Sequence, residues 1–566
     1  VKHGEGGVIV KLEGRTKINQ ETGQITAELD NTPQLPFSEF KLVLEGGPRA
    51  VLANPRTCGP TVAHTEADFT PWSTGPGVSD STPSYEFVVE GCDGHQFNPS
   101  FKAGMPNVQA GAFSEFTLAF GRSDQDQYLS GISTTMPLGL LGSLTGVELC
   151  KEAQANAGTC GANSLIGTTE VLTGPGADPF LVSGGQVFLT EGYGGAPFGL
   201  SIVVPAVAGP YTLSGLNGNG EPGNGKVVVR ARIMINQSTA VLSVVSNRLP
   251  TMLDGIPLQL RAVNVRINRP GFTFNPTNCN KMALTGTLAS AEGTSANVSS
   301  SFQVTNCGNL KFEPKFAVTT SGKTSKADGA SLTAKLSYPN VPAGTDANIS
   351  KVKVELPVQL PSRLTTLQKA CTNAQFETNP AGCPSASLIG HAVVHTPLVP
   401  VPLEGPAIFV SHGGEAFPSL TMVLQGYGVT VDLVGTTFIS KAGITSTTFK
   451  TVPDVPFSTF ELTLPQGPYS ALTANGNLCA LTKTVTVKKK VTVKSKGHKK
   501  TVTRSVKTTQ PASLSMPSEF VAQNGAAIHE TTPVSVTSCP KAVKVKAKGK
   551  KGKKANKAGG ARKGRR

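Results

Sequence analysis

A chain of 566 residues exceeds what one hydrophobic core organises, and roughly three to five domains are expected. Gly 62 and Pro 41, with aromatics at 6% and charged residues at 16%, describe short strands joined by many turns. Alternating apolar segments through the first 480 residues exclude ordinary disorder, and the expected class is all-β.

In chain order, "GVIVKLEGRT" (7–16) and "LPFSEFKLVLEGGP" (35–48) begin a pattern that ends at Cys58 and is followed by a second cysteine, Cys92. "PLGLLGSL" (137–144), "CKEAQANAGTCGANSLIG" (150–167) and "GGAPFGLSIVV" (194–204) begin a second pattern. The first pattern returns as "GKVVVRARIMI" with Cys279 and Cys307. The second returns as "CTNAQFETNPAGCPSASLIG" (371–390) and "GGEAFPSLTMVL" (413–424). The first then appears again as "GVTVDLVGTT" (428–437) and "VPFSTFELTLPQGP" (455–468), with Cys479 and Cys539.

An A-B-A-B-A array of antiparallel β-sandwiches of immunoglobulin-like size follows. Module A is placed at 1–108, 226–322 and 428–545, module B at 109–225 and 323–427, and a disordered tail at 546–566. Segments such as "FTLAFG" and "FELTLP" alternate with period two, as half-buried strands do. A short helix is expected at 151–157, between two paired cysteines. Val1 sits at a point that elsewhere follows module B, so further chain is expected before it.

The ten cysteines fall into five pairs that repeat in spacing: Cys58 with Cys92, Cys150 with Cys160, Cys279 with Cys307, Cys371 with Cys383, and Cys479 with Cys539. Repetition points to disulfides and an oxidising compartment. The rivals are free thiols or metal binding; no pair has CxxC spacing or a His partner repeated between copies.

Other candidate sites are weak. His391 and His395 share a strand face but lie about 13 Å apart, too far for one ion. Ser411 and His412 in "VSHGGEAF" faintly resemble an oxyanion loop but point to opposite faces of a strand. Asp124 and Asp126 lack the further ligands of a calcium loop. No motif supports an enzyme, a cofactor or a metal, and no run of 18 apolar residues crosses a membrane.

The formal charge of +16 is local. Residues 483–507 carry ten Lys or Arg and residues 541–566 carry thirteen, neither stretch with Asp or Glu; removing those 23 cations from +16 leaves −7. The first stretch, an insertion at 483–509, alternates Val or Thr with Lys and predicts a protruding basic hairpin. Lys488, Lys489, Lys490, Lys494, Lys496, Lys499 and Lys500 there, with Lys550, Lys551, Lys553 and Lys554 in the tail, are the expected contacts for polyanions such as anionic cell-envelope polymers. No aromatic residues interleave with them, so specific nucleic-acid recognition is not expected.

"LDGIPLQLRAVNVRINRPGFTFNPTNC" (253–279), "LPSRLTTLQKACTNAQFETNPAGCP" (360–384) and the Lys-rich end resemble large secreted β-repeat proteins of actinobacteria. The resemblance implies an extracellular or cell-surface setting and supplies no activity. The expected function is a non-enzymatic structural or adhesive repeat protein. The alternative is a carbohydrate-binding or accessory array of a larger secreted enzyme.

Overall fold

The computed structural model describes residues 10–20, 22–47, 50–52, 54, 63–90, 96–339, 344–495 and 498–539. Between residues 100 and 537, 22 strands form two rings of eleven. Ring one contains β1 (Ser100–Gly104), β2 (Phe116–Gly121), β3 (Leu129–Thr135), β4 (Leu165–Thr173), β5 (Phe180–Thr190), β6 (Phe198–Pro205), β7 (Lys226–Ile235), β8 (Leu242–Ser246), β9 (Ala262–Ile267), β10 (Met282–Ser290) and β11 (Ser295–Phe302). Ring two contains β12 (Lys315–Ser321), β13 (Leu332–Ser337), β14 (Ile349–Glu355), β15 (Leu388–His395), β16 (Leu403–Ser411), β17 (Ser419–Gly426), β18 (Val429–Ile439), β19 (Thr445–Phe449), β20 (Thr459–Leu464), β21 (Leu514–Ala522) and β22 (Ala527–Thr537).

The order around ring one is β11-β10-β3-β8-β7-β6-β5-β4-β9-β2-β1, and ring two repeats it strand for strand as β22-β21-β14-β19-β18-β17-β16-β15-β20-β13-β12. Ring two closes through a parallel pairing of β12 with β22, from Val318 opposite Val534 to Ser321 opposite Thr537. Ring one brings β1 to β11 through a side chain: the Ala103 N–H donates to Ser300 Oγ at 3.0 Å. Closure leaves few strand edges to template aggregation.

The expected all-β class holds, in β-sandwich- and barrel-like sheets, but strands of the two patterns share them. β6, in the second pattern, pairs with β7, in the first, over eight residues from Phe198 opposite Ile233 to Pro205 opposite Lys226. The boundary placed at 225/226 therefore runs through a sheet. β12 likewise pairs with β13 across the boundary at 322/323. Each ring needs strands of both patterns, because the hydrogen-bonding partner of each edge strand lies in the next repeat.

The repeated "SLIG" has a steric reason. A Cβ on Gly167 would stand 2.3 Å from the Arg266 carbonyl oxygen on β9, and a Cβ on Gly390 would stand 2.3 Å from that of Thr463 on β20. Only glycine lets these strands approach so closely. Among the described residues before 100 the strands form two small hairpins, Arg15–Ile18 with Ile25–Glu28 and Ala63–Glu66 with Ser84–Phe87. Phe37, Phe40 and Leu42 of the first "PFSEF" pattern are exposed.

The rings pack end to end around a buried carboxylate. Asp454 is fully buried and accepts from the Thr277 N–H at 2.9 Å, Thr277 Oγ1 at 2.6 Å, Asn278 Nδ2 at 3.0 Å and Asn348 Nδ2 at 2.8 Å. Leu141, Phe274 and Leu398 pack beside it. In ring two the interior holds a large apolar cluster running from Val318 to Val534 and a second around Leu336, Ile349 and Phe520. In ring one it splits into two, one around Phe116, Leu129 and Leu284, the other around Ile166, Val187 and Phe198. A cavity of about 340 Å³ is bordered by both.

Candidate functional site

Four of the five cysteine pairs are bonded: Cys150–Cys160, Cys279–Cys307, Cys371–Cys383 and Cys479–Cys539, with Cα–Cα separations of 5.6, 5.9, 5.4 and 5.6 Å. Cys58 and Cys92 lie outside the described residues. The bonds occupy equivalent places in the two rings. Cys150–Cys160 and Cys371–Cys383 each hold a helix beside the wall, α1 (Glu152–Ala157) in ring one and α2 (Asn373–Thr378) in ring two. α1 is the helix expected from sequence, and it stops at Gly158 in the left-handed conformation that glycine favours. Cys279–Cys307 and Cys479–Cys539 clamp the bases of the β10–β11 and β21–β22 hairpins.

Between Cys479 and β21 the chain runs out into the basic insertion. Thr482–Ser495 pairs with His498–Pro511 over fourteen positions, from Thr482 opposite Pro511 to Ser495 opposite His498, and among the described residues joins no other sheet. The register puts Lys488 opposite Ser505, Lys490 opposite Thr503 and Lys494 opposite Lys499 at positions of one parity. Lys489 opposite Arg504 and Lys500 opposite Val493 take the other. Lys488, Lys490 and Lys507 are exposed, whereas Val485, Val487 and Val506, of the alternate parity, are half-buried. Cations thus occupy positions of both parities, whereas the valines are confined to one. Lys496, Lys550, Lys551, Lys553 and Lys554 lie outside the described residues, as does the tail.

The residues set aside as weak candidates have structural partners. His391 Nε2 stands 3.6 Å from Glu404, and His395 Nδ1 stands 3.0 Å from Thr459 Oγ1. Asp126 accepts from the N–H groups of Asn98 at 3.1 Å and Ser123 at 2.7 Å. Burial opposes its ionisation, but these bonds outweigh it and hold the carboxyl below its ordinary pKa. Asp124 pairs with Arg261 at 3.1 Å and accepts from the Gly176 N–H. Among the described residues no group of three or more His, Cys, Asp or Glu is placed to hold a metal.

His412 differs from the expectation drawn from its neighbour Ser411. Its Nε2 lies 2.9 Å from Ser419 Oγ and its Nδ1 lies 2.6 Å from Asn373 Oδ1. Ser419 is seven residues away in sequence and reaches His412 across the β16–β17 hairpin. Ser–His–Asn is the order of a nucleophilic relay. Here, however, Ser419 is buried, its hydroxyl donates to the Val410 carbonyl, and the His412 N–H is taken by Glu415 Oε1 at 2.6 Å. Bonds from its own N–H, from Ser411 and from the His412 N–H hold the Glu415 carboxyl below its usual range.

The arrangement ties α2 to the wall. Ring one performs the same task with other residues: buried Arg230 donates to Asn156 Oδ1 of α1, to Thr190 Oγ1 at 3.1 Å and to the Leu200 carbonyl at 3.1 Å, and Tyr193 stacks on its guanidinium at 4.1 Å. Neither network was legible in sequence, since its members come from separate strands and use different chemistry in each repeat.

No family model matches this sequence, and no curated protein does. Weak likenesses to solved structures include two domains. The C-terminal domain of the Streptococcus agalactiae AgI/II polypeptide BspA has a TM-score of 0.18 at 8% identity, covering 77% of this chain and 100% of that one. The B domain of a biofilm-associated protein has a TM-score of 0.16 at 8% identity, covering 78% and 86%. At such scores neither likeness carries an argument about this chain.

Proposed function

We propose that this chain is an extracellular or cell-surface protein with a structural or adhesive role, and that its basic hairpin holds it to anionic envelope polymers. The hairpin carries the reading. It is a paired segment of cationic residues with no Asp or Glu, standing apart from both rings and anchored at its base by Cys479–Cys539. Such a surface attracts polyanions through screened electrostatics that weaken as salt rises. The disulfides fit an oxidising compartment. The tail at 546–566 adds charge of the same sign and is assigned the same role.

The test is fractionation of cells making the full protein, followed by a salt wash of the envelope. Intact protein is expected in the envelope and released by salt. A version ending at Lys541 with Lys488, Lys490, Lys494, Lys499 and Lys507 changed to Gln is expected free in the medium. Equal retention of both forms at low salt overturns electrostatic anchoring.

A further inference from the structure

We propose that ring one binds the acyl chain of a lipid inside its barrel. Strand number creates the space: about eight strands close around an interior that side chains just fill, and diameter grows with each further strand. Eleven leave room. The cavity of about 340 Å³ falls within the roughly 300–1,000 Å³ of small-ligand sites. Its walls are almost wholly aliphatic and aromatic, with a few Thr and Ser hydroxyls as the polar exceptions. A void of this lining stays dry and takes an apolar guest.

The shape fits a chain. Phe198, Leu200, Ile202 and Val204 of β6 all face the cavity, so it follows that strand for six residue steps, about 20 Å. One end is sealed by ring two through Leu398, Val429 and Val455. The other lies under two short hairpins, Val207–Ala208 with Tyr211–Thr212 and Met252–Leu253 with Ile256–Pro257. Leu213, Leu253 and Leu258 point from this lid into the void.

The lid is latched by polar groups. The Ser214 N–H and hydroxyl donate to the Asp254 carboxylate at 2.7 and 2.6 Å, joining one hairpin to the other. Asp254 takes a left-handed conformation, φ 51°, to do so. Around this end Phe180, Leu181, Tyr211 and Ile256 are exposed, an apolar rim on which a chain can land before passing the lid.

Ring two, with the same topology, shows how the space is filled. In the half of ring one beneath the lid, Ile202, Val204, Val229 and Ser246 stand at the positions of Met422, Leu424, Leu433 and Phe449. The Phe449 ring lies over Gly435, where a Cβ would come within 2.7 Å of it. Ring one has Ala231 and Ser246 at that pair, and both border the cavity.

The experiment titrates the purified full chain with a fluorescent polyene fatty acid. Saturable binding of one probe per chain is expected, with at least a tenfold loss of affinity in Ser246→Phe combined with Ala231→Gly, which transplants the filled pair. If the double variant does not fold, Ile202→Met, copying Met422, is read in its place and is expected to weaken binding severalfold. Absence of saturable binding, or undiminished affinity in a folded filled variant, overturns the proposal. Displacement by free fatty acid alone assigns the guest to a free acid; uptake of labelled chains from phosphatidylglycerol vesicles assigns it to a membrane lipid. Asp254→Ala is expected to speed probe association and release severalfold; unchanged rates overturn the lid as the route.

Discussion

Ring one and ring two share strand number, strand order and disulfide placement, yet their walls differ in side-chain volume, and ring one holds a cavity between its two apolar clusters. Topology therefore sets how wide a barrel is, while side-chain volume at individual wall positions decides whether it is solid. Ring two spends Met422, Leu424, Leu433 and Phe449 on the wall where ring one places smaller residues. At the junction end the exchange reverses, with Ile233, Leu242 and Val244 of ring one standing at the positions of Thr437, Thr445 and Thr447.

The largest expected effect separates the two rings. Asp454→Ala strands the donors of Thr277, Asn278 and Asn348 in a buried junction and is expected to cost on the order of 4 kcal/mol. Chemical denaturation should then change from one transition to two, reporting each ring by itself; a single unshifted transition would contradict the role of this carboxylate.

Next, Phe449→Ser gives ring two the residue of ring one. Removing a ring packed against the core is expected to cost about 3 kcal/mol and to create a second apolar site that the same fluorescent probe reads. An unchanged unfolding midpoint would mean that the ring is not supporting the wall.

A smaller difference is expected between disulfides. Cys479–Cys539 spans 60 residues and Cys279–Cys307 spans 28, so chain entropy makes removal of the first costlier by ~0.7 kcal/mol. Paired Cys→Ser variants compared by urea denaturation measure it.

The smallest effect concerns Asp432 on β18, whose N–H bonds to the Gln237 carbonyl of ring one while its buried Oδ1 has no hydrogen-bond partner. Burial raises its pKa, so the fold favours the protonated form. The stability this lends is present at low pH and is lost as pH rises through the folded pKa. Asp432→Asn is therefore expected to raise Tm at pH 7, with the gain fading as pH falls toward the ordinary Asp pKa of about 3.9. A gain of equal size at pH 3 would point to another cause.

Much of the local structure was legible. Period-two alternation marked β2, β7 and β20, helix-favouring residues between cysteines marked α1, and Val/Thr–Lys alternation marked the basic hairpin. Domain boundaries were not, because alternation says that a residue faces inward without saying which strand lies beside it. β6 and β7 read as the end of one unit and the start of another, yet they are neighbours in one sheet. The polar tether at His412 was hidden for the same reason: its partners, Asn373 and Ser419, come from a helix and another strand.

By itself, the sequence determined the β class, the cysteine pairing of the four bonds described, the duplication and the place of the basic hairpin, all properties of short segments or of their repetition. Tertiary structure alone decided that the repeats close into rings across module boundaries, that Asp454 joins those rings, and that ring one holds an apolar cavity. Closure depends on pairing between strands distant in sequence, and a void depends on the summed volumes of side chains that meet only when the ring has closed.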